Sequence, residues 1–106
     1  MRIPVDATIA WEKLALYLLV AKPKNDKSRF LAQAGFTLAN PEALEAAIRQ
    51  VIANNEAVFD RENEYGTFYQ VKGNLQGPDG ILTVVTIWLL QDVNGQFRFV
   101  TLKPAR

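Results

Sequence analysis

The sequence contains neither cysteine nor histidine among its 106 residues. Without cysteine there is no disulfide, no thiolate nucleophile and no thiolate metal site. Without histidine there is no serine–histidine triad, no histidine-bound zinc and no imidazole general base. An excess of one charge sign is also missing: twelve basic and eleven acidic residues leave a formal net charge of +1. That removes the global electrostatic argument for nucleic-acid binding, though not local patches. Long apolar runs are absent too. The longest helical one, Leu14–Ala21, falls far short of the roughly 20 residues that span a bilayer. Met1–Asp6 lacks the basic-then-apolar layout of a signal peptide, so a cytoplasmic protein with no membrane association is expected.

What remains is ordinary globular material, 49% hydrophobic and 22% charged, enough for one domain with a single core. The chain is organised around residues 66–104. Gly77-Pro78-Asp79-Gly80 is a turn in which proline presets φ and glycine tolerates a positive one. Asn94-Gly95 is a short hairpin signal of type I′. Between them Ile81–Leu90 is rich in β-branched and aromatic residues and apolar on both alternating sets. It therefore reads as a central strand that needs both faces shielded. Thr67–Leu75 and Gln96–Lys103 flank it, and a further strand over Ala57–Arg61 is expected beside the first of these.

Upstream, the pattern predicts three helices. Trp11, Leu14, Ala15, Leu18 and Leu19 form an apolar stripe in a helix over Thr8–Val20, widened by Leu16 and Tyr17 and capped by Asp6 or Thr8. Pro23 ends it. A short helix from Asp26 or Ser28 to Ala34 follows, closed by Gly35 at the left-handed cap position. Asn40 and Pro41 open the third helix, whose buried stripe is Leu44, Ala47, Ile48, Val51 and Ile52, with Glu45 and Arg49 paired on the wet face. Each large side chain there contributes about 1.5–3 kcal/mol on burial, so a charge at Ile48 is incompatible with the fold. The expected architecture is α+β, three N-terminal helices on a four-stranded antiparallel meander, in one domain over residues 1–106.

Three clusters carry chemistry. Lys22, Lys24, Lys27 and Arg29 lead into the second helix and form a candidate anion site; the plainer reading is a solvated loop. Glu56, Asp60, Glu62 and Glu64 are carboxylates that a cation could bridge, but on an edge strand such charges more often block aggregation. No metal site and no cofactor are assigned. Phe68, Leu82, Val84 and Trp88 form a candidate interface patch for a protein partner or a second copy.

Five short motifs bring a resemblance. Lys27-Ser28-Arg29-Phe30-Leu31 with Gly35-Phe36, Tyr65-Gly66-Thr67-Phe68-Tyr69, Pro78-Asp79-Gly80, Thr86-Ile87-Trp88 and Val100-Thr101-Leu102-Lys103-Pro104 resemble a family of small bacterial domains of unknown function. The resemblance covers nearly the whole chain and implies a compact α+β domain without an assigned catalytic set. Where that family's pattern carries a lysine, this sequence has Phe68. Helices followed by a sheet ending in Val-Thr-x-x-Pro also look like toxin endoribonucleases of the RelE and barnase type, an analogy of fold. It implies a histidine-free endoribonuclease or an inactive relative, with Lys72 and Arg98 as candidate catalytic residues and Arg61, Tyr69, Thr101 and Lys103 as helpers. The residues favour an interaction module, a homodimer or one half of a two-gene pair, with the endoribonuclease as the alternative.

Overall fold

The computed structural model describes residues 1–24 and 26–105. Four strands, β1 (Val58–Asn63), β2 (Gly66–Gln76), β3 (Ile81–Gln91) and β4 (Phe97–Pro104), pair in sequence order as one antiparallel sheet. Each strand lies within two residues of its expected bounds, and β3 is central. The β2–β3 connection is the expected Gly77–Gly80 turn, closed by the Gly77 amide donating to the Gly80 carbonyl at 2.8 Å. The β3–β4 connection is longer than a two-residue hairpin. The Gly95 amide donates back to the Gln91 carbonyl at 2.8 Å, and Gly95 carries the positive φ of 67°.

The helices are α1 (Trp11–Lys13), α2 (Ser28–Ala32) and α3 (Pro41–Asn54). They are not simply an N-terminal block, because the chain first touches the sheet. Thr8 forms a parallel bridge to Arg98 on the free edge of β4, its amide donating to the Phe97 carbonyl and its carbonyl accepting from Phe99. That extended pairing occupies the expected helix start, so α1 begins at Trp11 without a side-chain cap. It then widens into a π-helical turn over Leu14–Leu18, with the Leu19 amide reaching the Leu14 carbonyl at 3.0 Å. Leu14, Ala15, Leu18 and Leu19 are buried as expected, but Trp11 and Leu16 remain exposed. One α-turn plus one π-turn does not sustain the stripe that a regular helix would present.

In α2, the Asp26 carboxylate accepts from both the amide and the hydroxyl of Ser28. Gly35 follows with φ of 90°. Its missing side chain lets the β2–β3 turn dock, since a Cβ there would lie 2.9 Å from the Asp79 carboxylate, and the Asp79 amide donates to the Ala34 carbonyl. Pro41 takes the start of α3 as expected, but Asn40 does not cap it. The Asn40 side chain faces back instead, accepting from the Thr37 amide and donating to the Gly35 carbonyl. On α3, Arg49 pairs with Glu45 at 3.0 Å and also donates to the carbonyls of Val5 and Ala7, both at 2.8 Å. This clamp lays residues 3–9 along the helix, with Ile3, Ala7 and Ile9 buried in the core.

The core lies between these elements and one sheet face. Trp88 is fully buried against Phe99, ring centroids 5.3 Å apart, with Val71, Leu75, Val84 and Leu102 alongside. Inside it sits a polar relay. The Trp88 indole donates to the Thr86 hydroxyl at 2.8 Å, and that hydroxyl donates to the Val71 carbonyl at 2.9 Å. Replacing Thr86 with valine leaves the indole N–H buried and unpaired, which costs about 1–3 kcal/mol. Urea unfolding is expected to show a lower midpoint at an unchanged slope, with Thr86→Ser recovering most of the loss. Equal midpoints for the valine and wild-type proteins would contradict the relay's role.

Candidate functional site: the outer face of the sheet

Strand register fixes which side chains share the face turned away from the helices. From β2 these are Phe68, Gln70 and Lys72; from β3, Val85, Ile87 and Leu89; from β4, Arg98, Thr101 and Lys103; from β1, Val58 and Arg61. Arg61 stands beside Phe68, and Arg98 beside Leu89. Lys72 and Lys103 flank Val85 on either side, and Gln70 and Thr101 flank Ile87.

Phe68 and Ile87 are each only 7% exposed, yet neither belongs to the helix-side core cluster. Arg61 covers Phe68, while Ile87 lies between Gln70 and Thr101. The Arg61 guanidinium carbon lies 4.2 Å from the Phe68 ring centroid, a cation–π stack. Arg98, Lys72 and Lys103 stand in register beside the other members of the stripe, where aliphatic stems can cover apolar surface while the charged heads stay in water. The outer face is thus an apolar stripe bordered by four cations. The Asp60 carboxylate, at the β1 bulge, is tied to Arg61 at 3.3 Å.

This arrangement sorts the sequence candidates. Lys72, Arg98, Arg61 and Thr101 come together on one face, with Lys103. Tyr69 does not: it pairs with Trp88 across the strands and packs between Phe59 and Phe97 on the helix side. The interface quartet is divided. Val84 and Trp88 are fully buried in the core, Leu82 packs against it, and Phe68 alone belongs to the outer face. With a side-chain period of two, residues paired as Phe68 and Leu89 cannot share a face with Trp88.

The four cations frame the face rather than converge on a point. Adjacent strands are about 4.8 Å apart and residues along a strand rise about 3.4 Å. Lys72 and Lys103 are therefore about 10 Å apart at the backbone, and Lys72 and Arg98 about 16 Å. A rectangle of that size matches several phosphates or an acidic surface better than one small anion.

At the β4 side the face continues into the loop before α2. Lys27 donates to the Thr101 hydroxyl at 3.0 Å. Lys22, from the same loop, lies 3.2 Å from the Tyr17 ring centroid, with Lys13 and Lys27 at 5.8 and 5.9 Å. Of the four residues proposed as an anion site, Lys22 and Lys27 therefore converge. Lys24 is exposed, and Arg29 borders a separate hollow beside Phe36. Tyr17 was legible only as a helix-stripe residue, because its lysine neighbours come from chain segments whose return path periodicity does not encode. Burial, followed by repulsion from Lys103 and Lys22, pushes the Lys27 ammonium below the usual lysine range.

The acidic stretch forms no shared site. Glu56 binds the chain's amino terminus and Arg2, each at 3.0 Å, while Asp60 binds Arg61. Among the described residues no cluster of carboxylates could hold a metal ion, and no helix is long and apolar enough to cross a membrane. A shallow cleft of ≈ 350 Å³ between the N-terminal segment and the β3–β4 turn is lined by Pro4, Asp6, Ala7, Thr8, Gly95, Gln96 and Phe97. Its one charged group is Asp6, and it lies outside the cationic set.

Residues 5–106 match the family described as Domain of unknown function (DUF6883), and the chain belongs to that family. No curated protein matches it. Among solved structures, the fold is shared with a chain of a contact-dependent growth inhibition toxin–immunity protein complex from Klebsiella pneumoniae 342. The TM-score is 0.63 and the identity 17%, over 95% of each chain.

The displaced Lys27 titration has a signed consequence. Its folded-state pKa lies below the unfolded value, so the charged lysine is a cost to the fold at neutral pH. As pH rises from the folded pKa toward the unfolded value of about 10.4, the unfolded chain holds more protons and that cost disappears. The stability of the wild type relative to Lys27→Met is therefore expected to rise with pH across that window. Denaturation at stepped alkaline pH measures it, and a flat difference would contradict the burial of the ammonium.

Proposed function

We propose that this domain is a toxin/immunity-type module that acts on RNA through its outer sheet face. The carrying observation is the placement of Arg61, Lys72, Arg98 and Lys103 around one apolar stripe, with the Asp60 carboxylate beside it already paired to Arg61. Four cations spaced over roughly 10–20 Å suit successive phosphates of a flexible strand, and they create a local positive field that a net charge of +1 conceals. The fold likeness to a chain of a toxin–immunity complex supports a toxin or immunity setting.

Within that reading, the face would work as a histidine-free endoribonuclease site. Arg61, Arg98 and Lys72 would neutralise charge developing on a phosphorane. Proton transfer would fall to lysine, and Lys27, held at Thr101 with a lowered pKa, is the best placed. Tyr69 has no part in it, since it lies on the other side of the sheet.

The interaction-module reading moves to the same face. As one half of a two-gene pair, this domain would meet a partner offering carboxylates to the four cations; as a homodimer, like charges would have to face one another, which disfavours that form. A cytoplasmic setting belongs to the proposal on composition alone.

The test is binding and cleavage of single-stranded RNA over a range of salt. Each neutralised phosphate on a single strand contributes about 0.7 to the slope of log affinity against log salt. Lys72→Ala/Arg98→Ala should therefore lower that slope by about 1.4 and abolish any cleavage. RNA affinity and slope indifferent to both substitutions, or no RNA binding at low salt, would overturn the reading. Tight capture of an acidic protein partner without RNA binding would replace it with the interaction module.

A further inference from the structure

The Tyr17 cluster lies beside the outer face and has its own composition. Its cations come from three separate pieces of chain: Lys13 on α1, Lys22 and Lys27 in the loop before α2, and Lys103 at the end of β4. Three of these ammonium groups lie within 6 Å of one phenol ring. The Asp26 carboxylate, in the same loop, is committed to the Ser28 amide and hydroxyl, and the charged group pulling on it is Arg29 rather than a lysine of the cluster.

A tyrosine ring attracts a cation over its face, and Lys22 at 3.2 Å occupies that position. The ring does nothing to offset repulsion among the remaining ammonium groups. Lys27 records that repulsion: after burial, Lys103 and then Lys22 are what disfavour its charge. The Thr101 hydroxyl accepts from Lys27 at 3.0 Å and turns its own proton to the Leu102 carbonyl at 3.3 Å, so it holds the Lys27 ammonium in place beside the other lysines. Converging lysines with few acceptors of their own, beside a hydroxyl, are matched by a small multivalent oxyanion.

We propose that Lys22, Lys27 and Lys103, with Tyr17 and Thr101, form a binding site for a phosphate group. The site adjoins the four-cation face and shares Lys103 with it, and it shares Lys27 and Thr101 with the proposed RNA site, while Lys22 and Tyr17 lie outside both. Two sources share this chemistry, free phosphate and the backbone phosphate of a nucleic acid strand crossing the β4 edge.

Amide and lysine side-chain NMR shifts of the whole chain, titrated at constant ionic strength, test the site. One arm uses inorganic phosphate and the other a short single-stranded RNA. Saturable shifts at Lys13, Tyr17, Lys22, Lys27, Thr101 and Lys103 are expected. A response to inorganic phosphate identifies free phosphate as sufficient; a response to RNA alone identifies the backbone phosphate. Lys22→Met and Lys27→Met should each weaken binding about tenfold, while Lys24→Met, outside the cluster, leaves it unchanged. Lys72→Ala/Arg98→Ala should leave the phosphate response intact, so loss of the outer-face reading does not imply loss of this site. No saturable shift at the cluster with either probe, or equal binding by the Lys22 and Lys27 variants, would overturn the proposal.

Discussion

The middle of strand β3 is kept dry on both sides, at Val84, Thr86 and Trp88 on the inner face and at Ile87 on the outer one, and the rest of the structure follows from how that is done. On one side Val84 and Trp88 meet a conventional core built from the π-helical turn after α1, α2 with the turn that follows it, α3 and the N-terminal segment. On the other side the neighbours of Ile87 and Phe68 are polar side chains from within the sheet itself. Burying such residues contributes about 1.5–3 kcal/mol each, which on the outer face applies to Phe68 and Ile87, while Val85 and Leu89 are half-buried and Ile81 is exposed. Arginine can cover Phe68 because its stem is apolar and its head need not leave water.

This solution has an electrostatic consequence. A face that carries Arg61, Arg98, Lys72 and Lys103 is cationic. At Arg61 the residue that covers the sheet is the same one that presents charge to solvent. Structural and functional roles are not alternatives here, and a substitution such as Arg61→Ala would expose Phe68 as well as remove a charge. Conservative replacements that keep the stem and remove the charge, such as lysine or arginine to methionine, separate the two effects. The cationic surface does not stop at the β4 edge, because Lys27 at Thr101 joins it to the lysines around Tyr17.

Local chemistry in the sequence announced much of this. The Gly77–Gly80 turn, the unbroken Ile81–Leu90 run and the Leu44–Ile52 stripe each name their own structure, because the interactions that decide them lie within a few residues. The shielding expected on both faces of Ile81–Leu90 holds only in part, because on the outer face Ile87 is buried while Ile81 stays exposed. What covers the outer face was not legible, since stem packing by arginine leaves no hydrophobic signature. Tyr69 and Phe68 are adjacent, and only the pairing register separates a core residue from a surface one. Asn40 has the identity of a cap, but the Thr37 amide competes for its side-chain oxygen. Thr8 had the identity of a helix start and instead joins β4, ninety residues later in the chain, which no local pattern encodes. The lysines at Tyr17 were hidden for the same reason, arriving from separate segments.

The most direct measurement is an NMR map of the residues that respond when a single-stranded RNA oligonucleotide is added at low salt. A cationic outer face requires the response to alternate along the strands, strong at Gln70, Lys72, Ile87, Leu89, Arg98 and Thr101 and weak at Val71, Trp88, Phe99 and Leu102. A response confined to the cleft beside Asp6 and Gln96, or spread evenly over both faces of the sheet, would contradict it.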